Sequence, residues 1–249
     1  GGSFSASDVV VETTVEPGIT LTNGANISFD IGTSLTVNGG SLSLTINDSN
    51  GGTIGTGGNI TLNTAANLTI NGGGALTLDV LNNDGGHIGT GGNISVTTGG
   101  DLTAGSIDAL IDNRNGGTID SSANLTFNIG GALNTSGDAS FSISNRFDDI
   151  EGGTIGSDAV INMTANNVSI GGALSANINN FEGGTIGGNA TINLTAANIT
   201  TGALTAEIEN SSSGTIDGSA TINVTAANIT TNSLFARIEN SDGGSIGSG

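Results

Sequence analysis

The stretch Gly183-Gly184-Thr185-Ile186-Gly187 returns along the chain with small changes. The isoleucines of its seven copies are Ile54, Ile88, Ile119, Ile155, Ile186, Ile216 and Ile246. Successive copies stand roughly 30 to 36 residues apart, a period that marks stacked structural units. Each unit is too small to bury a core of its own. Each copy is therefore expected to mark the same corner of one coil, with Ile155, Ile186 and Ile216 in one continuous column.

The residues on either side of this corner carry the pattern of strands. Two apolar residues flank one polar residue in Ile27/Phe29, Ile60/Leu62, Ile94/Val96, Leu125/Phe127, Ile161/Met163, Ile192/Leu194 and Ile222/Val224. Side chains alternate faces along a strand, so each pair points inward and the small polar residue between points to water. A short second strand follows at Leu68, Leu102, Val168, Ile199 and Ile229. A third runs through Ala75-Leu76, Ala173-Leu174 and Ala203-Leu204 to Val80, Ile111, Ile143, Ile178, Ile208 and Ile238. Two residues beyond stand Asn82, Asn113, Asn145, Asn180, Asn210 and Asn240, with Asp48 in the first coil. Corner asparagines tolerate the left-handed conformation, and stacked copies can bond one another as a ladder. The predicted fold is all-β: a parallel β-helix, or β-solenoid, of about seven coils of roughly 30 residues. Residues 1–18 read as an irregular N-terminal strand or partial coil ended by Pro17, and 19–249 as a single repeat domain.

Composition narrows the partners. The chain has 22 acidic residues, three arginines and no lysine, for a formal charge of −19. Nucleic acid and anionic membrane surfaces both call for basic side chains, so neither is an expected partner. No apolar run approaches the ~20 residues of a membrane span, and membrane insertion is not expected. With no cysteine, disulfides and thiolate metal sites are excluded. Gly1-Gly2-Ser3-Phe4-Ser5 and Gly243-Gly244-Ser245-Ile246-Gly247 look like the same phase of the repeat. Together with the missing Met and signal peptide, that reads as a segment of a longer precursor.

Asn59 to Ile70 followed by Gly74-Ala75-Leu76-Thr77, and Ala190 to Thr200 followed by Gly202-Ala203-Leu204-Thr205-Ala206, resemble the shafts of filamentous-haemagglutinin-type exoproteins and autotransporter-like adhesins. The likeness covers roughly residues 19–249. It implies a right-handed parallel β-helix, export to the bacterial cell surface, and a role in attachment or surface fibres. Coils of that family are commonly shorter than these, so a longer side or an extra strand per coil is implied here.

Few residues offer chemistry. The calcium-binding nonapeptide needs Gly-Gly-x-Gly-x-Asp, and Gly51-Gly52-Thr53-Ile54-Gly55-Thr56 lacks both the fourth-position glycine and the aspartate. Asp148, Asp149, Glu151 and Glu182 form a weaker calcium candidate at the corner, weighed against a solvated acidic surface. Arg146 with Asp148 and Asp149 is the one constellation a carbohydrate-cleaving site could use, against a surface ion pair. His87 replaces the usual Thr and reads as an exposed turn residue, since one histidine builds neither a metal site nor a triad. Met163 fills a core column. The sequons at Asn59, Asn67, Asn93, Asn193, Asn198 and Asn228 read as turn and ladder chemistry rather than glycosylation. The mixed Thr, Ser and Asn of the outward column, one residue wide, do not make an ice-binding array.

The expectation is thus a non-enzymatic shaft of a secreted bacterial adhesin or extracellular fibre, with no catalytic residue and no cofactor beyond the calcium candidate. Its partners would be itself, stacked end to end through open sheet edges, or a cell-surface receptor or glycan. The alternative is a carbohydrate-binding or carbohydrate-cleaving β-helix protein.

Overall fold

The corner isoleucines stack. Ile155 pairs with Ile186 and Ile186 with Ile216, and the column runs from Leu21 through Ile54, Ile88 and Ile119 to Ile246. Every pairing in it is parallel. The computed structural model describes residues 4–146 and 152–247. It is an all-β parallel solenoid of about seven turns, about 32 residues per turn, with no helix among the described residues.

Each coil has three sides and a corner strand. Side one stacks Ile27, Ile60, Ile94, Leu125, Ile161, Ile192 and Ile222. Side two stacks Leu35, Leu68, Leu102, Leu133, Val168, Ile199 and Ile229. Side three stacks Ile46, Val80, Ile111, Ile143, Ile178, Ile208 and Ile238. In the middle coils these side chains are wholly buried. Each contributes about 1.5–3 kcal/mol by leaving water, and since each coil touches only its neighbours, that sum is what joins the stack. Phe127 and Phe141 meet edge to face across the core at 4.8 Å, and Met163 lies in register with Phe127.

The coils tighten along the chain. Early sides are separate strands, with left-handed Gly72 and Gly73 turning the chain between Leu68–Asn71 and Ala75–Asn83. Later sides merge into single bent strands, Ala159–Asn180 and Ala190–Asn210, whose pairing shifts register between Ile170 and Ala173. Losing those extra turn residues makes the step from Ile186 to Ile216 shorter than the step from Ile54 to Ile88.

The corner asparagines differ from expectation. None of Asn82, Asn113, Asn145, Asn180, Asn210 and Asn240 has a positive φ. The left-handed residues come two places later, at Asp84, Asn115, Glu182, Ser212 and Asp242, followed in most coils by a left-handed glycine. The asparagines themselves end the third side and point inward. Asn82, Asn113, Asn145, Asn180 and Asn210 are fully buried. Each Nδ2 donates to the next Oδ1: Asn82 to Asn113 (2.6 Å), Asn113 to Asn145 (2.8 Å), then on to Asn180, Asn210 and Asn240 at 2.7 Å each. The other amide N–H reaches a corner carbonyl one coil on, as from Asn180 to Thr215 at 3.0 Å. The second glycine of the motif makes room for this. A Cβ at Gly214 would lie 2.4 Å from Asn180 O and 2.7 Å from Asn210 Oδ1.

The two ends do not share a phase. Phe4 pairs with Leu35 in the second-side column, whereas Ile246 closes the corner column. Val9–Val15 then pairs with Leu42–Ser49 on side three. Gly-Gly-Ser before an apolar residue is too short a signal to set phase. The alternation of Val9, Val11 and Thr13 over Leu42, Leu44 and Ile46 sets it instead.

Candidate functional site

The outward faces of the three sides differ in chemistry. On side one the described strands carry Thr, Ser and Asn outward, with Val160 among them and Asp30 as the one charge; on side two they carry no charge. Asn162, Asn193 and Asn223 form an outer amide ladder (2.7 and 2.8 Å), and Asn167, Asn198 and Asn228 another (2.8 Å each). Asn93 donates to Asn59 at 2.9 Å, and Asn67 Oδ1 accepts the Asp101 peptide N–H at 3.0 Å. They include the six asparagines of the sequons named from the sequence, and each has its side chain in a coil-to-coil hydrogen bond.

Side three gathers the charge. It bears Glu12, Asp79, Asp108, Asp112, Glu207, Glu209 and Glu239, and all three arginines lie on it or at its end. Two clusters result.

In the upper cluster, Asp79 sits diagonally between Asp108 and Asp112 of the next coil. Burial, then the charges of Asp108 and Asp112, push its carboxyl from 3.8 to about 6. Asp112 is nearly buried and holds Arg114 Nε at 2.9 Å. Below it opens a groove of about 290 Å³ lined by Leu110, Asp112, Arg114, Ser142, Ser144, Arg146 and Asn179.

In the lower cluster, Arg237 bonds Glu207 through Nε (2.7 Å) and Nη2, pairs with Glu239, and lies 3.8 Å from Glu209. Its guanidinium also covers the Phe235 ring at 5.4 Å. The hydrogen bond to Glu207, ahead of the acidic field, holds Arg237 more firmly charged. Burial and the neighbouring Glu207 and Glu239 raise the Glu209 carboxyl.

Arg146 lines the groove; Asp148, Asp149 and Glu151 lie outside the described residues. Glu182 occupies a left-handed corner position (φ 54°), with Ser212 at the same position one coil on. Among the described residues no three His, Asp or Glu side chains converge as metal ligands. His87 is not a bare turn residue. It belongs to the corner strand His87–Gly91, and its Nε2 lies 2.9 Å from Asp120 Oδ2 in the next coil.

Sequence reasoning missed the cluster of Asp79, Asp108, Asp112 and Arg114. The signal was there: these charges all occupy outward positions of third-side strands one coil apart. Comparison with models of known protein families, with curated proteins and with solved structures finds no match. The resemblance to exoprotein shafts therefore rests on the coil sequences and the architecture alone.

Proposed function

We propose that this chain is a structural shaft of an exported surface protein, a stiff spacer that acts by shape. One observation carries the reading: the corner column passes from Leu21 to Ile246 without a break in register. A stack in which every strand is paired to the coils before and after resists bending and local opening. The absence of lysine, with arginines Arg114, Arg146 and Arg237 alone, also leaves few sites for a trypsin-like protease. Immunolabelling of intact producing cells tests surface display, combined with protease shaving. The shaft reading expects labelling without permeabilisation and survival of the repeat segment. Labelling confined to permeabilised cells would overturn it.

A second reading, carbohydrate binding, is favoured by the polar groove beside Arg114 and Arg146. Calorimetric titration with neutral and acidic oligosaccharides tests it; the affinity of any binder should fall in Arg114→Ala. Calcium at the corner acids is tested separately, by a calcium-dependent change in melting temperature that Glu182→Gln reduces.

The last coil presents Leu234 and Ile238 roughly half exposed, an edge that invites pairing. An in-register joint with the third side of another copy would set Asn240 against Val15 and leave its amide without the next acceptor. Copies of this isolated segment are therefore expected to associate weakly through these faces, and sedimentation against concentration measures it.

A further inference from the structure

The asparagine ladder begins on a rung of different chemistry. Asn113, Asn145, Asn180, Asn210 and Asn240 each accept an amide N–H at Oδ1 from the rung before. Asn82 Oδ1 accepts none. The rung before it is Asp48, in register with Asn82 on one side and Val15 on the other. Asp48 is fully buried, and neither of its carboxyl oxygens has a hydrogen-bond partner.

Geometry says which oxygen stands where. Asp48 Oδ1 lies beside Gly52 as Asn82 Oδ1 lies beside Gly86. The other oxygen therefore takes the place of an amide nitrogen. In the next rung that nitrogen donates twice, to Asn113 Oδ1 and to Thr118 O. The register equivalents of those acceptors are Asn82 Oδ1 and His87 O. An ionised Asp48 would set a negative oxygen among acceptors beneath an apolar valine. A carboxylic acid supplies the O–H that the ladder lacks.

We propose that Asp48 is held as a neutral acid that donates its proton to Asn82 Oδ1, and that its ionisation loosens the strand Val9–Val15 from Leu42–Ser49, making this joint between coils a pH-operated seam.

The surroundings agree. Burial, the largest influence, pushes the Asp48 carboxyl from 3.8 to about 6. His87 pulls the other way through its peptide N–H and ring, but that N–H is engaged by Gly52 O at 3.1 Å. Other charged groups stand aside. Glu12 and Asp79 lie over and under Thr45, and Glu16 follows Val15. Thr53–Gly57 and Ile60–Thr64 carry no titratable side chain, and on the strand Leu42–Ser49 Asp48 is alone.

Proton linkage sets the direction. A carboxyl whose folded value is raised makes the folded state the better proton binder. Its stabilising effect is full below about 4, falls as pH rises to about 6, and is gone above. A rise from 3.8 to about 6 favours opening of this joint by up to about 100-fold across that window.

Hydrogen exchange of Val9–Val15 and Leu42–Ser49 tests the proposal in wild type and Asp48→Asn between pH 4 and 7.5, with protection corrected for intrinsic rates. The carboxyl carbon of Asp48 is followed by NMR in parallel. Asp48→Asn supplies the missing donor at every pH. Expected are a wild-type loss of protection with rising pH that is clearly smaller in the variant, where Asp79 alone supplies the remainder, and a carboxyl midpoint near 6. Equal pH dependence in the two proteins, or a midpoint near 4, would overturn the proposal.

Discussion

Ser213 stands where the other corners place glycine. Its φ of 67° matches Gly51, Gly85, Gly116, Gly183 and Gly243 at 74–81°. That conformation costs an L side chain roughly 1 kcal/mol. Ser213→Gly is accordingly expected to stabilise the chain by about 0.5–1 kcal/mol, read as a raised urea midpoint. One residue on, the opposite holds: Gly214→Ala drives a Cβ into Asn180 O and should destabilise strongly. Asn180 belongs to the same device. It is fully buried and donates to Asn210 Oδ1, Gly184 O and Thr215 O. Asn180→Ala leaves those acceptors short of a donor and should cost about 2–4 kcal/mol in denaturant melts. The asparagine column was legible in the sequence because it repeats. So was its ladder; that the column lies buried rather than at a left-handed corner was not, because a corner asparagine and a buried one look alike on paper. The truly left-handed positions carry Asp84, Asn115, Glu182 and Ser212, a mixture without a consensus.

Strands were legible for the same reason that they stack: the apolar pair of each first side recurs, and Ile60, Ile94, Leu125 and Ile161 fall into one column. What the sequence could not convey is which outward residues become neighbours. Asp79 meets Asp108 and Asp112 because the register sets Thr77 beside Asp108 and Leu81 beside Asp112. A slip of one place would have put them on opposite faces. Sequence proximity suggested Arg146 with Asp148 and Asp149 instead; the described part of that group contributes Arg146 to a groove shared with Asp112 and Arg114. The strand Asn228–Asn240 offers the test at this scale. Its Arg237 stands among Glu207, Glu209 and Glu239. Arg237→Gln removes the one cation from stacked carboxylates. Amides of Ser233 to Asn240 should then exchange faster at low ionic strength, and about 0.5 M salt should recover most of the loss by screening. Equal exchange in the two proteins would mean that the acids are already solvated well enough to need no partner.

For the molecule as a whole, the acids on the third side set the pH at which the rod is firmest. Asp79 titrates near 6 because burial and the charges of Asp108 and Asp112 oppose its ionisation, and Glu209 is raised by burial and its glutamate neighbours. Between about 4 and 6 the folded chain therefore holds protons that the unfolded chain has released. Stability must fall as pH rises through that window and level off above it. A net charge of −19 at pH 7 adds self-repulsion in the same direction. This is the reverse of a chain whose carboxylates are salt-bridged, where acid weakens the fold. Urea midpoints are expected to be higher at pH 4.5 than at pH 7.5. Asp79→Asn should narrow the gap, by raising the midpoint at pH 7.5 while leaving that at pH 4.5 nearly unchanged. Salt should help more at pH 7.5 than at pH 4.5, because Asp79 joins the repelling charges of Asp108 and Asp112 only as pH rises through the window. A midpoint that climbs from pH 4.5 to pH 7.5 would show that the stacked acids ionise as readily in the coil as in water. The charged side would then be a loosely solvated surface, and the firmness of the rod would come from its apolar columns and buried amides alone.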